Sequence, residues 1–246
     1  MAKDDAGRGA ISGKIDLLTD VKALRGRRAP VPFNGQDGRW ELFGQIMAAH
    51  RFAAIVETGT NRGWTTRAMA EESGLPVFSI EVLRQNYKIA QSYLSDCADI
   101  HLFLGDSATV LPGKVAQGEI PDRNVFCYLD AHWQEELPLA DEIEAVTSAM
   151  TDFVIMIDDF QVPDDPGYHF DAYGPGKVLC LDYLRPFVDR GLFVFLPSRP
   201  SAEETGARRG CVVLTASVNI AIALRKAPAL RDVGLLHWLL APPSAG

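Results

Sequence analysis

The sequence predicts an α/β protein with a doubly wound, mostly parallel seven-stranded sheet that ends in an antiparallel strand pair. Short apolar runs typical of buried strands alternate along the chain with segments whose apolar residues recur at helical spacing. This is the pattern of a parallel sheet covered on both faces. The last two apolar runs are joined by a polar connection without a helical pattern, and neighbouring strands joined in this way run antiparallel.

The predicted elements follow one another from residue 40 onwards. Residues 40–50 have apolar positions at helical spacing and predict a helix ahead of the first strand. Strands are then predicted near 53–57, 77–81, 100–104, 124–130, 153–158, 192–196 and 211–216. Helices are predicted near 63–73, 84–95, 107–116, 136–150 and 177–189.

The chain has 246 residues, 47% of them apolar, which is enough to bury one large core. We therefore predict one domain over residues 33–246, preceded by an N-terminal arm over residues 1–32 that mixes charge and glycine. The domain includes a C-terminal tail whose apolar stretch, residues 235–240, is expected to dock on the body of the protein or on a second subunit. A homodimer or a higher homo-oligomer is therefore left open.

Composition narrows the classes of partner. The net charge of -8 and the isoelectric point near 5.1 argue against a nucleic acid, because phosphate binding draws on clustered Lys and Arg. The sequence lacks both an apolar run of about 18 residues and the apolar core of a signal peptide, so we expect a cytoplasmic protein without a membrane partner. Its four widely spaced cysteines support neither a disulfide framework nor a zinc site.

The most informative stretch lies at the end of the first predicted strand. An apolar run ends in Glu57, two glycines four residues apart follow, and an amphipathic segment starts at Trp64. This order predicts a buried strand, a tight turn and a helix N-terminus, where glycine lets the backbone approach a ligand closely. The dinucleotide-binding fingerprint needs a glycine where this chain has Asn61. The candidate cofactor-binding residues here are Glu57, Gly59, Thr60, Asn61, Gly63 and Trp64.

Further candidates stand at the ends of the next two strands, since ligands of open α/β sheets bind beyond the carboxyl ends of the strands. Glu81 ends the second strand, where an acid can accept both ribose hydroxyls of a nucleoside. Asp106 and Ser107 follow the third strand. Asp106 suits the N-cap of the next helix, and either residue also suits contact with adenine, so the two roles are compatible.

Three aspartates are expected to converge at the ends of the fourth and fifth strands: Asp130, Asp158 and Asp159. Adjacent carboxylates repel one another, and a divalent cation relieves that repulsion. Oxygen atoms are the ligands that Mg²⁺ prefers. The alternative is that Asp158 and Asp159 begin a loop, where Asp is common, and that Asp130 caps the next element or contacts the cofactor. We favour the magnesium site.

The acceptor side of the site is predicted from histidines and aromatic residues. His132 stands two residues past Asp130, and the two are candidate catalytic groups, because imidazole titrates near neutrality and can act as a general base. The long loop over residues 160–176 is expected to form a lid, unless its aromatic residues only fasten it to the body. The predicted substrate contacts are His132, Trp133, Tyr168, His169 and Tyr173.

Taken in order, these strand-end motifs resemble those of class I S-adenosylmethionine-dependent methyltransferases over about residues 50–216. The resemblance implies a Rossmann-like methyltransferase fold, S-adenosyl-L-methionine as the cofactor and a small-molecule acceptor. It also implies that Glu57 and the glycine turn face the methionine portion, Glu81 the ribose, and residues 106–107 the adenine.

The aspartates further resemble those of metal-dependent O-methyltransferases of the catechol type and of the macrocin or mycinose sugar type. This resemblance implies that Asp130, Asp158 and Asp159 hold Mg²⁺ against substrate oxygens, that the acceptor is a hydroxyl group, and that the reaction belongs to natural product modification. Two other classes stay open. One is an NAD(P)-dependent oxidoreductase, against which the missing glycine counts, and the other is a non-catalytic nucleoside-binding protein.

Overall fold

The computed structural model describes residues 31–131 and 137–234. Its strands are β1 Ala54–Thr58, β2 Val77–Glu81, β3 Ile100–Leu104, β4 Val125–Leu129, β5 Val154–Ile157, β6 Phe193–Pro197, β7 Val212–Thr215 and β8 Leu230–Asp232. Its helices are α1 Asp37–Ala49, α2 Trp64–Ser73, α3 Arg84–Tyr93, α4 Ser107–Ala116, α5 Leu139–Ala149, α6 Leu181–Val188 and α7 Val218–Leu224. The predicted arm up to residue 30 and the predicted apolar tail lie outside the described residues. Across the described ranges, no helix has the length and apolar content needed to span a bilayer.

The strands form one sheet in the order β3-β2-β1-β4-β5-β7-β6-β8. The first five strands run parallel, and β7 is antiparallel to both β5 and β6. This arrangement confirms the predicted fold class. It also gathers the ends of β1, β2, β4 and β5 at one edge of the sheet, where the candidate site residues were expected.

Two elements differ from the sequence prediction. The eighth strand is only three residues long and pairs antiparallel with β6 at the margin of the sheet. Its sequence contains Arg231 and Asp232 and so gives no apolar run. Helix α7 was not predicted because its large apolar residues fall on alternate positions, a spacing that does not indicate a helix.

The core lies in two layers, one on each face of the sheet. On β1, Ala54 and Val56 face a layer that includes Leu111 of α4, while Ile55 faces a layer that includes Ile46 of α1. All five residues of β1 are buried, as expected for a central parallel strand. The sheet is therefore a rigid platform for the groups at its carboxyl edge.

A left-handed turn over residues 33–35 leads into α1. Phe33 has φ 50° and ψ 38°, Asn34 has φ 56° and ψ 25°, and Gly35 has φ 75°. This region is unusual for a bulky residue such as Phe33. Burial of the ring holds Phe33 in place, since its centroid lies 5.5 Å from that of Trp40 and 5.5 Å from that of Tyr128.

The β6–β7 loop, residues 198–211, clamps this turn from the other side. The backbone N–H of Ala207 donates to the Asn34 carbonyl at 3.1 Å, and the Thr205 hydroxyl donates to the Gly35 carbonyl at 2.9 Å. Gly206 lies so close to the turn that a Cβ there would collide with the carbonyl oxygens of Asn34 and Gly35. The turn and the loop therefore form one unit.

We expect Gly206→Ala to destabilise the protein more than Gly118→Ala. Both glycines have left-handed φ values, +61° and +72°, but a Cβ at Gly118 meets nothing within 4 Å. Alanine in the left-handed region costs about 1–2 kcal/mol, and forcing an atom into a packed contact costs about 1–3 kcal/mol more. Urea unfolding of the two variants measures the difference. Equal losses in the free energy of unfolding would show that the contact between loop and turn is not tightly packed.

Candidate functional site

A cavity of about 1320 Å³ lies at the carboxyl edge of the sheet, over the ends of β1, β2, β3 and β4. It is large enough for a nucleoside cofactor together with a small acceptor. The sequence-predicted residues that line it are Gly59, Asn61, Glu81, Asp106, Ser107 and Asp130. The structure thus brings together residues from four separate strand ends.

The turn after β1 closes against the end of β4. Gly59 has φ +85°, and a Cβ there would collide with the Asp130 carbonyl oxygen. The glycine is therefore required for the tight turn after β1 to pass the backbone that follows β4. Asn61, at φ 51°, donates its backbone N–H to the Glu81 carboxylate at 2.7 Å.

The carboxylate of Glu81 is held at the cavity wall by backbone groups. Its two oxygens accept from the N–H of Asn61 and the N–H of Leu83, each at 2.7 Å. Burial raises the pKa of Glu81, and these N–H groups oppose the rise by stabilising the charged form. Each carboxylate oxygen keeps a further lone pair. The group therefore fits the two adjacent hydroxyls of a ribose.

The sequence analysis missed an apolar wall directly after Glu81. Val82 and Leu83 line the same cavity, and their exposed fractions, 56% and 36%, are high for apolar residues. A flat apolar surface beside a carboxylate suits the face of a purine. The signal in the sequence was the apolar pair following the acid at a strand end.

Asp106 and Ser107 follow β3, the strand next to β2, and line the same cavity as this wall. Asp106 caps α4, because its carboxylate accepts from the Thr109 backbone N–H at 3.1 Å, and it lines the cavity at the same time. Both roles proposed for it are therefore compatible with the structure. The Ser107 hydroxyl donates to Glu142 and is directed into the protein.

Glu57 is not among the residues that line the cavity. It is 1% exposed, and its carboxylate accepts hydrogen bonds from the hydroxyls of Thr66 and Ser79, each at 2.5 Å. Burial raises the pKa of Glu57 to about 7, against the effect of these two hydroxyl groups. Thr60 joins the same buried group through a 2.5 Å contact with Ser79. These side chains connect β1, β2 and α2 beneath the cavity floor.

Gly63 and Trp64 also lie outside the cavity lining. A Cβ at Gly63 would lie 2.8 Å from the Leu94 side chain, so this glycine allows the start of α2 to pack against the segment after α3. The guanidinium of Arg62 lies 5.9 Å from the centre of the Trp64 ring. Trp64 therefore packs against Arg62, and Arg62 lines the cavity.

Asp158 does not face the cavity but forms a buried ion pair. Arg39 of α1 donates to one carboxylate oxygen, and the Tyr128 hydroxyl donates to the other. Arg39 also donates to the carbonyls of Arg209 and Gly210, at 2.7 and 3.0 Å. Arg39, Tyr128 and Asp158 are all at most 2% exposed.

Asp159 is paired in the same way. Arg209 of the β6–β7 loop donates to the carboxylates of Asp159 and Asp171. These two salt bridges lie next to the buried pair of Arg39 and Asp158. In residues 31–131 and 137–234, no group of three or more His, Cys, Asp or Glu side chains is arranged to hold a metal ion. The predicted magnesium site of Asp130, Asp158 and Asp159 is therefore not supported, because two arginines already provide the neutralising charge.

Asp130 remains at the cavity wall, next to the Gly59 turn. Burial raises the pKa of Asp130 well above its ordinary value, the charges of Asp158 and Asp159 raise it further, and Arg39 opposes the rise. In its ionised form, a carboxyl group with a raised pKa is a stronger base than an ordinary aspartate and can accept a proton from a neighbouring hydroxyl group. His132 and Trp133, which the sequence placed beside it, lie outside the described residues.

The loop over residues 160–176 is fastened to the body for much of its length. Tyr168 is buried, and its hydroxyl donates to the Arg199 carbonyl at 2.9 Å, away from the large cavity. His169 is exposed and pairs through its backbone with the β6–β7 loop. The Tyr173 hydroxyl donates to Asp171 at 2.7 Å. These contacts favour the fastening role that the sequence analysis left open, and only Lys177, just beyond the loop, lines the cavity.

No protein family model and no curated protein matches the chain. Among solved structures, an O-methyltransferase from Bacillus cereus in complex with SAH is similar at a TM-score of 0.52 and 17% identity, covering 87% of this chain and 92% of that one. The O-methyltransferase TomG of tomaymycin synthesis from Streptomyces achromogenes, in complex with SAM, gives 0.50 and 16%, covering 88% and 92%. Spermidine synthase from Thermotoga maritima gives 0.52 and 11%, covering 77% and 63%.

The likeness to these proteins shows the fold. The chain has the Rossmann-like methyltransferase fold, with a mostly parallel sheet and antiparallel strands at its C-terminal side. Spermidine synthase shares this fold, so the choice of reaction has to come from the residues of the site.

We expect Arg39→Met to lower the free energy of unfolding by about 3–5 kcal/mol, because it leaves the buried Asp158 carboxylate without its cation. The double variant Arg39→Met, Asp158→Asn should recover a large part of this loss. Arg199→Met is the matched control, since the exposed pair of Arg199 with Glu41 contributes only about 0–1 kcal/mol. Urea unfolding measures all three variants. A loss from Arg39→Met no larger than that from Arg199→Met would contradict the buried pair.

We expect Glu57→Gln to remove a pH dependence of stability. The raised pKa of Glu57 means that its stabilising contribution is full below about 4.5, the unfolded value, and is lost as pH rises through about 7. Relative to wild type, the Gln variant should therefore gain up to about 3 kcal/mol between pH 4.5 and pH 8. Urea unfolding at both pH values tests this, with exposed Glu72→Gln as the control. A difference that does not change with pH would rule out the raised pKa.

Proposed function

We propose that the protein transfers a methyl group from S-adenosyl-L-methionine to a small-molecule acceptor, with a hydroxyl group as the acceptor chemistry. The observation that carries this proposal is the way in which the Glu81 carboxylate is held at the cavity. Its carboxylate is fixed by two backbone N–H groups and keeps lone pairs toward a cavity that Val82 and Leu83 wall on one side. This combination fits the ribose and base of an adenosine.

The described residues fit the whole cofactor. The nucleoside end would be held by Glu81, by the apolar wall, and by Asp106 and Ser107 at the end of the neighbouring strand β3. The remaining length of the ligand would then extend over the Gly59 turn toward Asp130. When bound, the cofactor supplies an electrophilic methyl group, and the residues of the cavity have mainly to position the acceptor in line with it.

Asp130 is the residue placed to take the proton of the acceptor. It stands at the cavity wall next to the turn, and because its pKa is raised, its ionised carboxylate would be a stronger base than an ordinary aspartate. The proposed reaction involves no magnesium ion, since Arg39 and Arg209 neutralise the two aspartates that would share it with Asp130. The structural neighbours from Bacillus cereus and Streptomyces achromogenes were solved with SAH and SAM, which supports the choice of cofactor.

Isothermal titration calorimetry with S-adenosylhomocysteine tests the proposal. We expect the wild-type protein to bind this product and not to bind NADH. Glu81→Ala should weaken binding by about 1–3 kcal/mol, or about 5- to 150-fold, because the ribose hydroxyls lose their acceptor. Glu72→Ala, on the exposed surface of α2, is the control and should bind as wild type. Binding of NADH without binding of S-adenosylhomocysteine would support an oxidoreductase instead.

A further inference from the structure

Asn34 lies at the wall of the large cavity and has no role in the site as described so far. It lines this cavity together with Gly59, Arg62 and Asp130, although it comes from the segment ahead of α1. Its carbonyl is used by Ala207 of the β6–β7 loop. Its side chain is exposed, and no hydrogen bond joins the carboxamide to any residue within 31–131 or 137–234. The carboxamide is therefore available to a ligand.

The left-handed turn fixes the backbone from which this side chain projects. Two non-glycine residues in succession adopt the left-handed region, which is unfavourable and persists only where the surroundings enforce it. Here the buried Phe33 ring fixes one side, and the contact of Gly206 fixes the other. Strain of this kind is concentrated at ligand sites.

The turn is also joined to the first turn of α2. The backbone N–H of Phe33 donates to the Thr65 hydroxyl at 3.2 Å, which places Asn34 beside the N-terminus of that helix. No side chain caps α2 through a hydrogen bond, so its first amide groups and its dipole favour a negative charge there. Arg62, two residues before the start of α2, also lines the cavity and carries a positive charge.

The nucleoside residues Glu81 and Asp106 follow β2 and β3, whereas Phe33, the residue before Asn34, packs its ring on Tyr128 of β4, on the other side of β1 in the sheet. With the ribose on Glu81 and the base against Val82, the amino-acid portion of the cofactor would therefore extend over the Gly59 turn toward Asn34, which lines the same cavity. That portion ends in an α-carboxylate and an α-ammonium group. The helix N-terminus and Arg62 both favour the carboxylate.

We propose that Asn34, held by the left-handed turn, donates a hydrogen bond from its carboxamide to the α-carboxylate of the methionine portion of S-adenosylmethionine. The inference rests on the proposed function, because it needs that cofactor in the cavity. It makes Asn34 the residue that distinguishes the complete cofactor from nucleosides lacking the amino-acid group.

Calorimetry with two ligands distinguishes binding of the amino-acid portion of the cofactor from binding of its nucleoside portion. S-adenosylhomocysteine carries the amino-acid group, and 5′-methylthioadenosine lacks it. Asn34→Gly keeps the left-handed backbone without steric cost and removes the carboxamide. We expect it to weaken binding of S-adenosylhomocysteine by about 10- to 100-fold, the usual effect of losing a hydrogen bond to a charged group, and to change that of 5′-methylthioadenosine less than about twofold.

Asn34→Asp shows whether the side chain faces the α-carboxylate or the α-ammonium group of the cofactor. Asp also tolerates the left-handed region, so the backbone is kept. A negative charge beside the α-carboxylate should weaken S-adenosylhomocysteine at least as much as Asn34→Gly does. Tighter binding than wild type would instead identify the ammonium group as the partner and overturn the proposal. Asn219→Ala, on the exposed face of α7, is the matched control and should bind both probes as wild type.

The outcomes distinguish this inference from the proposed function. If wild type binds neither probe, the proposed function itself fails. If wild type binds S-adenosylhomocysteine and Asn34→Gly weakens both probes equally or neither, the cofactor assignment stands and the role of Asn34 is wrong. Equal affinity of wild type for the two probes would likewise overturn the inference, because the amino-acid group would then contribute nothing.

Discussion

Arg39 carries its guanidinium to the carboxyl edge of the sheet, where it meets Asp158 in surroundings from which water is excluded. Such a pair has to offset the desolvation of both charges, and it does so here with additional hydrogen bonds from Tyr128 and to the carbonyls of Arg209 and Gly210. Through these contacts the pair fastens α1 to β4, β5 and the β6–β7 loop. The pair thereby positions the N-terminal segment and the β6–β7 loop at that edge.

The β6–β7 loop, which Arg39 holds, is in turn hydrogen-bonded to the N-terminal segment. The Gln36 side chain exchanges two hydrogen bonds with the Arg209 backbone, each at 2.8 Å, and Glu204 accepts from the first turn of α1 through Gly38 at 2.9 Å. The strained turn ahead of α1 is thus held by contacts on both of its sides. Its conformation is a consequence of tertiary packing, and its Asn34 side chain reaches the cavity for that reason.

The same arrangement sets the charges of the site. Arg39 and Arg209 neutralise Asp158 and Asp159, and the acids that line the cavity within the described part of the chain are Glu81, Asp106 and Asp130. Glu81 accepts from two backbone N–H groups and suits hydroxyl donors, whereas burial, together with the carboxylates of Asp158 and Asp159, raises the pKa of Asp130. Two acidic groups of one cavity are therefore fitted to different tasks, binding in one case and proton acceptance in the other.

The sequence by itself determined the sheet, the glycine turn and the polar residues at the strand ends. These are local properties, because apolar periodicity defines a strand and the residue that follows it must lie at the edge. Glu81 and Asp130 could be placed at the cavity for this reason, and so could Asp106. Tertiary structure decided which strand-end acids are left for ligands. Asp158 meets a cation 119 positions away, and Asp159 meets one 50 positions away, separations at which no local pattern exists to be read. Asn34 reaches the cavity by the same kind of distant contact, since the Asn-Gly pair indicates a turn but not what the turn faces.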